Sequence, residues 1–243
     1  MDDSTRRPLA LLCAGAAQGL VKALQPQFEA ATGVRLDARF GAVGAMKEAL
    51  LGGARCDVMV VTAAMVEQLA AAGELLAASA TPLGRVRTGI AVRAADPKPA
   101  IDTPEALRAA LLAADRIHFP DALRSTAGIH FASVLQRLGI ADAVDDRIRT
   151  APNGATAMRE LACSDAARPI GCTQVSEILY TPGLALVGAL PEAFELATVY
   201  SAAVARDAAD PALARRFVAL LTGPDSAALR REGGFELDAA PDR

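Results

Sequence analysis

The stretch LALLCAGAAQGLVKAL, Leu9 to Leu24, admits two readings, and the fold depends on which one holds. As the end of a secretion signal it has Arg6 and Arg7 ahead of a short apolar run, small residues behind it, and a cysteine, Cys13, where a lipoprotein signal has one. Asp2 and Asp3 nearly neutralise that leader, however, and the bulky Leu12 stands before Cys13 where such signals have a small residue. As folded structure, Leu9 to Cys13 is the continuous apolar run of a strand buried on both faces of a parallel sheet. AGAAQG is then a tight turn of small residues. From Leu20 the spacing is helical, with Leu20, Val21, Leu24 and Phe28 on one face and Gly33 as the stop. Strand, small turn and helix leave free backbone N–H groups at the positive end of a helix dipole, a place suited to an anion. The folded reading accounts for more of the stretch.

Composition excludes several classes. A chain of 243 residues with 52% hydrophobic residues can bury a good core in one large domain or two small ones. A formal charge of −3, 4% aromatic residues and no Trp argue against a nucleic-acid binder. No apolar run reaches the roughly 18 residues of a membrane span, so a soluble protein is expected. Cys13, Cys56, Cys163 and Cys172 lie far apart without a CxxC pair, which speaks against zinc or thioredoxin-type chemistry. They are read as small buried hydrophobes, with a disulfide left open for an exported protein.

The strand–turn–helix cycle recurs along the chain. Val34 to Phe40 alternates as a half-buried strand and leads through GAVG into the helical run AMKEALLGG. A buried strand from Asp57 to Val61 is followed by Thr62 as N-cap and a helix stopped by Gly73. Three such units in the first third predict a parallel α/β sheet. A second series comprises the strand Gly89 to Ala94, a helix in DTPEALRAALLAA, RIHFP, a helix after RSTAG, RIRTAP, a helix in ATAMRELA, and PIGCTQ. It predicts a second lobe. The chain ends on a strand, TVYSAAVAR, and two helices, PALARRFVALLTG and PDSAALRREGG.

Ligands of open α/β sheets bind beyond the carboxyl ends of strands. The candidate loops are Ala14 to Gly19, Gly41 to Gly44, Leu123 to Gly128 and Asn153 to Ala155. In the third, Arg124 can clamp a carboxylate while Ser125, Thr126 and neighbouring N–H groups complete its shell; the competing reading is a solvated arginine beside an ordinary N-cap. The two histidines, His118 late in a strand and His130 in a helix, have no zinc-ligand spacing and are read as satisfied structural residues. GxSxG, Walker and GxGxxG signatures are absent. The polar cluster TQVSEILYTPG sets Gln174, Ser176, Glu177 and Tyr180 after a buried strand.

AGAAQGLVKAL, CDVMVVTAAMVEQL, LGRVRTGIAVRAADPKPAIDTPEALRAALLAA, STAGIHFASVLQRLGI and IGCTQVSEIL, in this order, resemble the type 2 periplasmic solute-binding proteins, within them the molybdate-binding-protein-like (ModA-like) group. The similarity runs from about Leu9 to Phe235. It implies an α/β fold of two lobes, residues 1–87 with 197–243 and residues 88–196, each a mostly parallel sheet flanked by helices, with the ligand between them. The implied ligand residues are Gly15, Ala16, Ala17, Gln18, Val43, Gly44, Arg124, Ser125, Thr126, Ala127, Gly154 and Gln174. The group's two oxyanion-binding serines fall on Ala16 and Val43, and its ligand tyrosine on Gln174. Three hydroxyls are therefore missing, which disfavours molybdate, tungstate or sulfate, and the RST loop favours an organic carboxylate.

The resemblance further implies a monomeric receptor of an ABC-type uptake system, partnered by a permease, without cofactor or metal. It would be periplasmic if a signal peptide has been removed and cytoplasmic otherwise. The same group includes aconitate isomerase, so an enzyme that moves a proton on a tricarboxylate is the alternative, with Glu177, His130 or Tyr180 as candidate acid/base. A cytoplasmic ligand sensor is a third reading.

Overall fold

The computed structural model, which describes residues 7–237, has two compact units, Met1–Arg85 with Thr198–Arg243, and Val86–Ala197. Residues 1–6, on which the charge of the leader was read, and 238–243, assigned to the first lobe, lie outside the described residues.

In the first unit the apolar run of the opening stretch forms β1 (Leu9–Ala14), buried at every position. Parallel partners flank it, β2 (Leu36–Gly41) and β3 (Val58–Thr62). The late strand β9 (Ala197–Val204) adds antiparallel to β3. The helices of this unit are α1 (Gln18–Thr32), α2 (Val43–Leu51), α3 (Ala63–Ala71), α9 (Pro211–Thr222) and α10 (Ala227–Glu232). As the 3.6-residue spacing predicts, α1 buries Leu20, Val21, Leu24 and Phe28. Phe28 meets Phe217 of α9 edge to face, with ring centroids 4.9 Å apart. Gly33 ends α1 at φ 66°, a left-handed conformation that glycine adopts without a Cβ clash. Asp57, just before β3, ties the start of β1 to the loop that leads into α9: Oδ2 accepts from Ala10 N at 2.7 Å and Oδ1 from Ala209 N at 2.7 Å.

In the second unit β5 (Arg116–Pro120) lies between β6 (Ile148–Ala151) and β7 (Pro169–Gln174), all parallel. The long strand β4 (Thr81–Arg93) runs antiparallel to β7 and, on its other side, to β8 (Leu184–Ala189). The helices are α4 (Pro104–Ala113), α5 (Thr126–Arg137), α6 (Ala141–Val144), α7 (Gly154–Ala162) and α8 (Val175–Leu179). Phe119 packs edge to face on Phe131 of α5 within the larger core cluster. Met158 and Leu161 of α7 pack with Ala91 and Ile178 in a smaller one.

Several elements differ from the sequence expectations. The strand expected from Gly89 starts at Thr81; its first half buries Leu83 and Val86, three residues apart and so without a period of two, and Arg85 bridges antiparallel to Glu236. β8 was not anticipated; its unbroken apolar run carries no period of its own. The GAVG loop shrinks to Ala42, since the Met46 N–H donates to the Ala42 carbonyl and winds Val43 and Gly44 into α2. All four cysteines are free, three buried and Cys163 exposed. Burial pushes the Cys56 thiol up to about 12 and raises Cys172 well above its ordinary range. His118 is not the satisfied histidine expected: it is buried in β5 with neither ring nitrogen hydrogen-bonded, and burial, then Arg149 and Arg116, lowers its pKa.

Arg230 of α10 is buried, and its guanidinium holds three carbonyls. Nη1 donates to Leu83 O at 2.6 Å, and Nη2 to Thr222 O and Gly223 O at 2.8 Å each. It thereby joins the end of α9 to β4. Arg230→Met is expected to lower stability by roughly 2–4 kcal/mol in urea denaturation, because buried carbonyls lose a charged donor; Arg230→Lys, which lacks the planar fork, should fall between.

Candidate functional site

The residues at the carboxyl ends of the parallel strands divide into a set in each unit. In the first, β1 passes through a tight 3-10 turn, Gly15–Ala17, directly into α1. β2 passes through Ala42 into α2. Both helix starts lack a side-chain cap and have no acidic residue in the first turn. Their neighbour α3, by contrast, is capped by the Thr62 hydroxyl, and α4, α5, α7 and α9 are capped by Thr103, Ser125, Asn153 and Asp210. Because β1 and β2 are adjacent and in register, the two uncapped starts are neighbours. Ala16, Ala17 and Val43 are buried and offer no hydroxyl, so backbone N–H groups are the donors these turns supply. Gln18 and Gly44 sit half-buried in the first turns of α1 and α2.

In the second unit the loop after β5 is built on Asp121, whose Oδ1 accepts from Leu123 N at 2.7 Å and Arg124 N at 3.0 Å. This Asx turn holds the exposed Arg124 at the start of α5. Ser125 caps the helix, and Gly128 is required there because a Cβ would overlap the carbonyls of Pro120 and Asp121. Thr126 is half-buried and Ala127 buried, and the loop is a helix start with an exposed guanidinium beside a serine N-cap.

Glu177 connects the other two loops. Its buried carboxyl accepts from Thr173 Oγ1 at 2.5 Å and from the backbone N–H groups of Gln174 and Ala155. The start of α7 at Gly154 thus rests on a carboxyl group of the chain itself, and a Cβ on Gly154 would overlap that carboxyl and the Thr173 hydroxyl. Desolvation pushes the Glu177 pKa up to about 7, against the pull of the three hydrogen bonds. Gln174 is buried at the end of β7; with its amide oriented by its surroundings, the nitrogen donates to the carbonyls of Val86 and Arg87 at 3.3 Å each. Beside it, the buried hydroxyls of Thr88 and Ser176 have no hydrogen-bond partner.

The other acid/base candidates stand differently. His130 Nε2 lies 2.7 Å from the Phe194 carbonyl, which makes that nitrogen a donor to backbone. Tyr180 follows α8 as its C-cap and is half-buried. The Thr173–Glu177 pair and its seat on Gly154 escaped the sequence reading. The available signal was the i, i+4 spacing of Thr173 and Glu177 within GCTQVSE. Among the described residues no group of three or more His, Cys, Asp and Glu could hold a metal, and no helix is long and apolar enough to cross a membrane.

Two variants test this reading of Glu177. Gly154→Ala should destabilise the protein by a few kcal/mol in thermal melts, because neither the carboxyl nor the hydroxyl can move away without losing its partner. A carboxyl whose folded pKa lies above its unfolded value binds its proton more tightly in the native state. Its stabilising contribution is complete below the unfolded value of about 4.5 and is lost as pH rises to about 7. Glu177→Gln should therefore flatten the decline in melting temperature between pH 5 and 7 relative to wild type.

Comparison with known proteins agrees with the architecture. The sequence profile of the bacterial extracellular solute-binding proteins matches residues 9–236. The Azotobacter vinelandii periplasmic molybdate-binding protein superposes with a TM-score of 0.78 at 21% identity, covering 95% of this chain and 100% of that one. The sulfate-binding protein of Mycobacterium tuberculosis gives 0.72 at 17% identity, over 95% and 86%. In sequence the chain is 27% identical over 237 residues to an aconitate isomerase from a Pseudomonas species, 94% of this chain and 87% of that protein.

Proposed function

The chain belongs to the bacterial extracellular solute-binding proteins and has their two-lobed α/β fold, and from that premise we propose that it captures a small di- or tricarboxylate outside the cytoplasm and delivers it to an ABC-type permease. The observation that carries this reading is the pair of adjacent uncapped helix starts, α1 and α2, in which Ala16 and Val43 leave only backbone donors for an anion. A compact tetrahedral oxyanion buried there would lack hydroxyl partners, and unmet hydrogen bonds of a buried anion are expensive. A carboxylate needs fewer donors, and the planar fork of Arg124 is itself a good partner for a carboxylate.

In thermal melts a carboxylate at about 100 times its dissociation constant adds roughly 2.7 kcal/mol of stability. Citrate, cis- or trans-aconitate, or a C4 dicarboxylate should raise the melting temperature, and molybdate should not. Arg124→Ala should weaken that ligand by about 30- to 1000-fold, a loss of roughly 2–4 kcal/mol. A shift with molybdate and none across the carboxylates contradicts the proposal.

A second reading is favoured by the aconitate isomerase relative together with Glu177, a buried carboxyl whose pKa of about 7 suits a proton carrier. In that reaction the base takes a proton from the saturated carbon of the substrate, the electron pair shifts along the allylic system, and the proton returns at its other end. Proton NMR of wild-type protein with cis- or trans-aconitate decides it. Appearance of the other isomer in proportion to protein, lost in Glu177→Gln with binding retained, makes the protein an enzyme; no interconversion leaves the receptor.

A further inference from the structure

We propose a second anion site, for a small phosphate-bearing ligand, at the amino ends of β1 and β3 in the first unit. A cavity of about 500 Å³ opens there, a strand's length, about 20 Å, from the turn at Gly15. Its lining includes three guanidinium groups, Arg7, Arg55 and Arg216, and two carboxylates, Asp57 and Asp210.

Both carboxylates are engaged with backbone. Asp57 accepts from Ala10 N and Ala209 N, and Asp210 Oδ1 accepts from Leu213 N at 2.9 Å as the cap of α9. The guanidinium groups are much less so. Arg55 gives one nitrogen to the Pro8 carbonyl and approaches Asp57 at 3.6 Å, while its Nε is buried without a partner. Arg7 and Arg216 make no hydrogen bond or ion pair among the described residues. The amino end of α9, at Ala212 and Leu213, also lines the cavity, but its cap Asp210 already takes the Leu213 N–H, so the guanidinium groups are what the cavity offers an anion.

A cavity with three guanidinium groups against two carboxylates, both engaged with backbone, is complementary to an anion with several oxygens. A phosphate group can take paired hydrogen bonds from more than one arginine and satisfy the buried Nε. The volume leaves room for a small body attached to the phosphate. The site is independent of the carboxylate reading, being built from other residues at the other end of the sheet.

Isothermal titration in phosphate-free buffer with inorganic phosphate and, separately, with glucose 6-phosphate tests it. Wild type should bind at least one of them, and Arg216→Ala, a change at an exposed position, should weaken that binding tenfold or more while leaving the thermal response to carboxylates intact. Binding of inorganic phosphate alone assigns the site to the free ion, and tighter binding of the sugar phosphate assigns it to a phosphorylated metabolite. No binding of either at millimolar concentration, or binding that Arg216→Ala leaves unchanged, overturns the proposal.

Discussion

The backbone N–H groups that open α1 and α2 are the constraint on which the functional account rests. A helix start leaves its first donors without partners inside the helix, and five of the ten α-helices among the described residues, α3, α4, α5, α7 and α9, meet that demand with a side chain. The two starts after β1 and β2 do not. Parallel pairing of those strands in register sets the open ends side by side, and the residues around them, Gly15, Ala16, Ala17 and Val43, are small or aliphatic and buried. Donors fixed in such a place have the positive dipole ends of two helices behind them.

The second unit answers the same demand differently. There α5 and α7 are capped by Ser125 and Asn153, and α7 also receives the carboxyl of Glu177. One side chain thereby braces the end of β7, the start of α7 and the start of α8, which is why glycine is needed at 154. What the second unit offers a ligand in this account is the exposed guanidinium of Arg124, set by the Asx turn of Asp121. The high pKa of Glu177 follows from its burial and leaves it able to exchange a proton near neutrality.

Much of this was legible in the sequence, for identifiable reasons. The opening stretch could be read because β1 is buried on both faces and α1 on one, which gives an unbroken apolar run followed by a period of 3.6. The helix start after Thr62 was marked by its cap and the stop of α1 by a glycine, Gly33, which the structure places in the left-handed conformation. β8 and the first half of β4 were not legible, since one has no alternation and the other owes its strand state to partners distant in sequence. The role of Glu177 was hidden because it depends on Gly154, brought close only by the pairing of β5 with both β6 and β7. The unsatisfied state of His118 likewise depends on what covers it.

The most direct test of the account is a backbone amide NMR titration of 15N-labelled protein with a tricarboxylate, citrate or aconitate. The amides of Gly15, Ala16, Ala17, Val43 and Gly44 should shift downfield as they acquire a charged acceptor, and their hydrogen exchange should slow. Saturating ligand that leaves those five amides unmoved while others shift would contradict the claim that the open ends of α1 and α2 hold the anion.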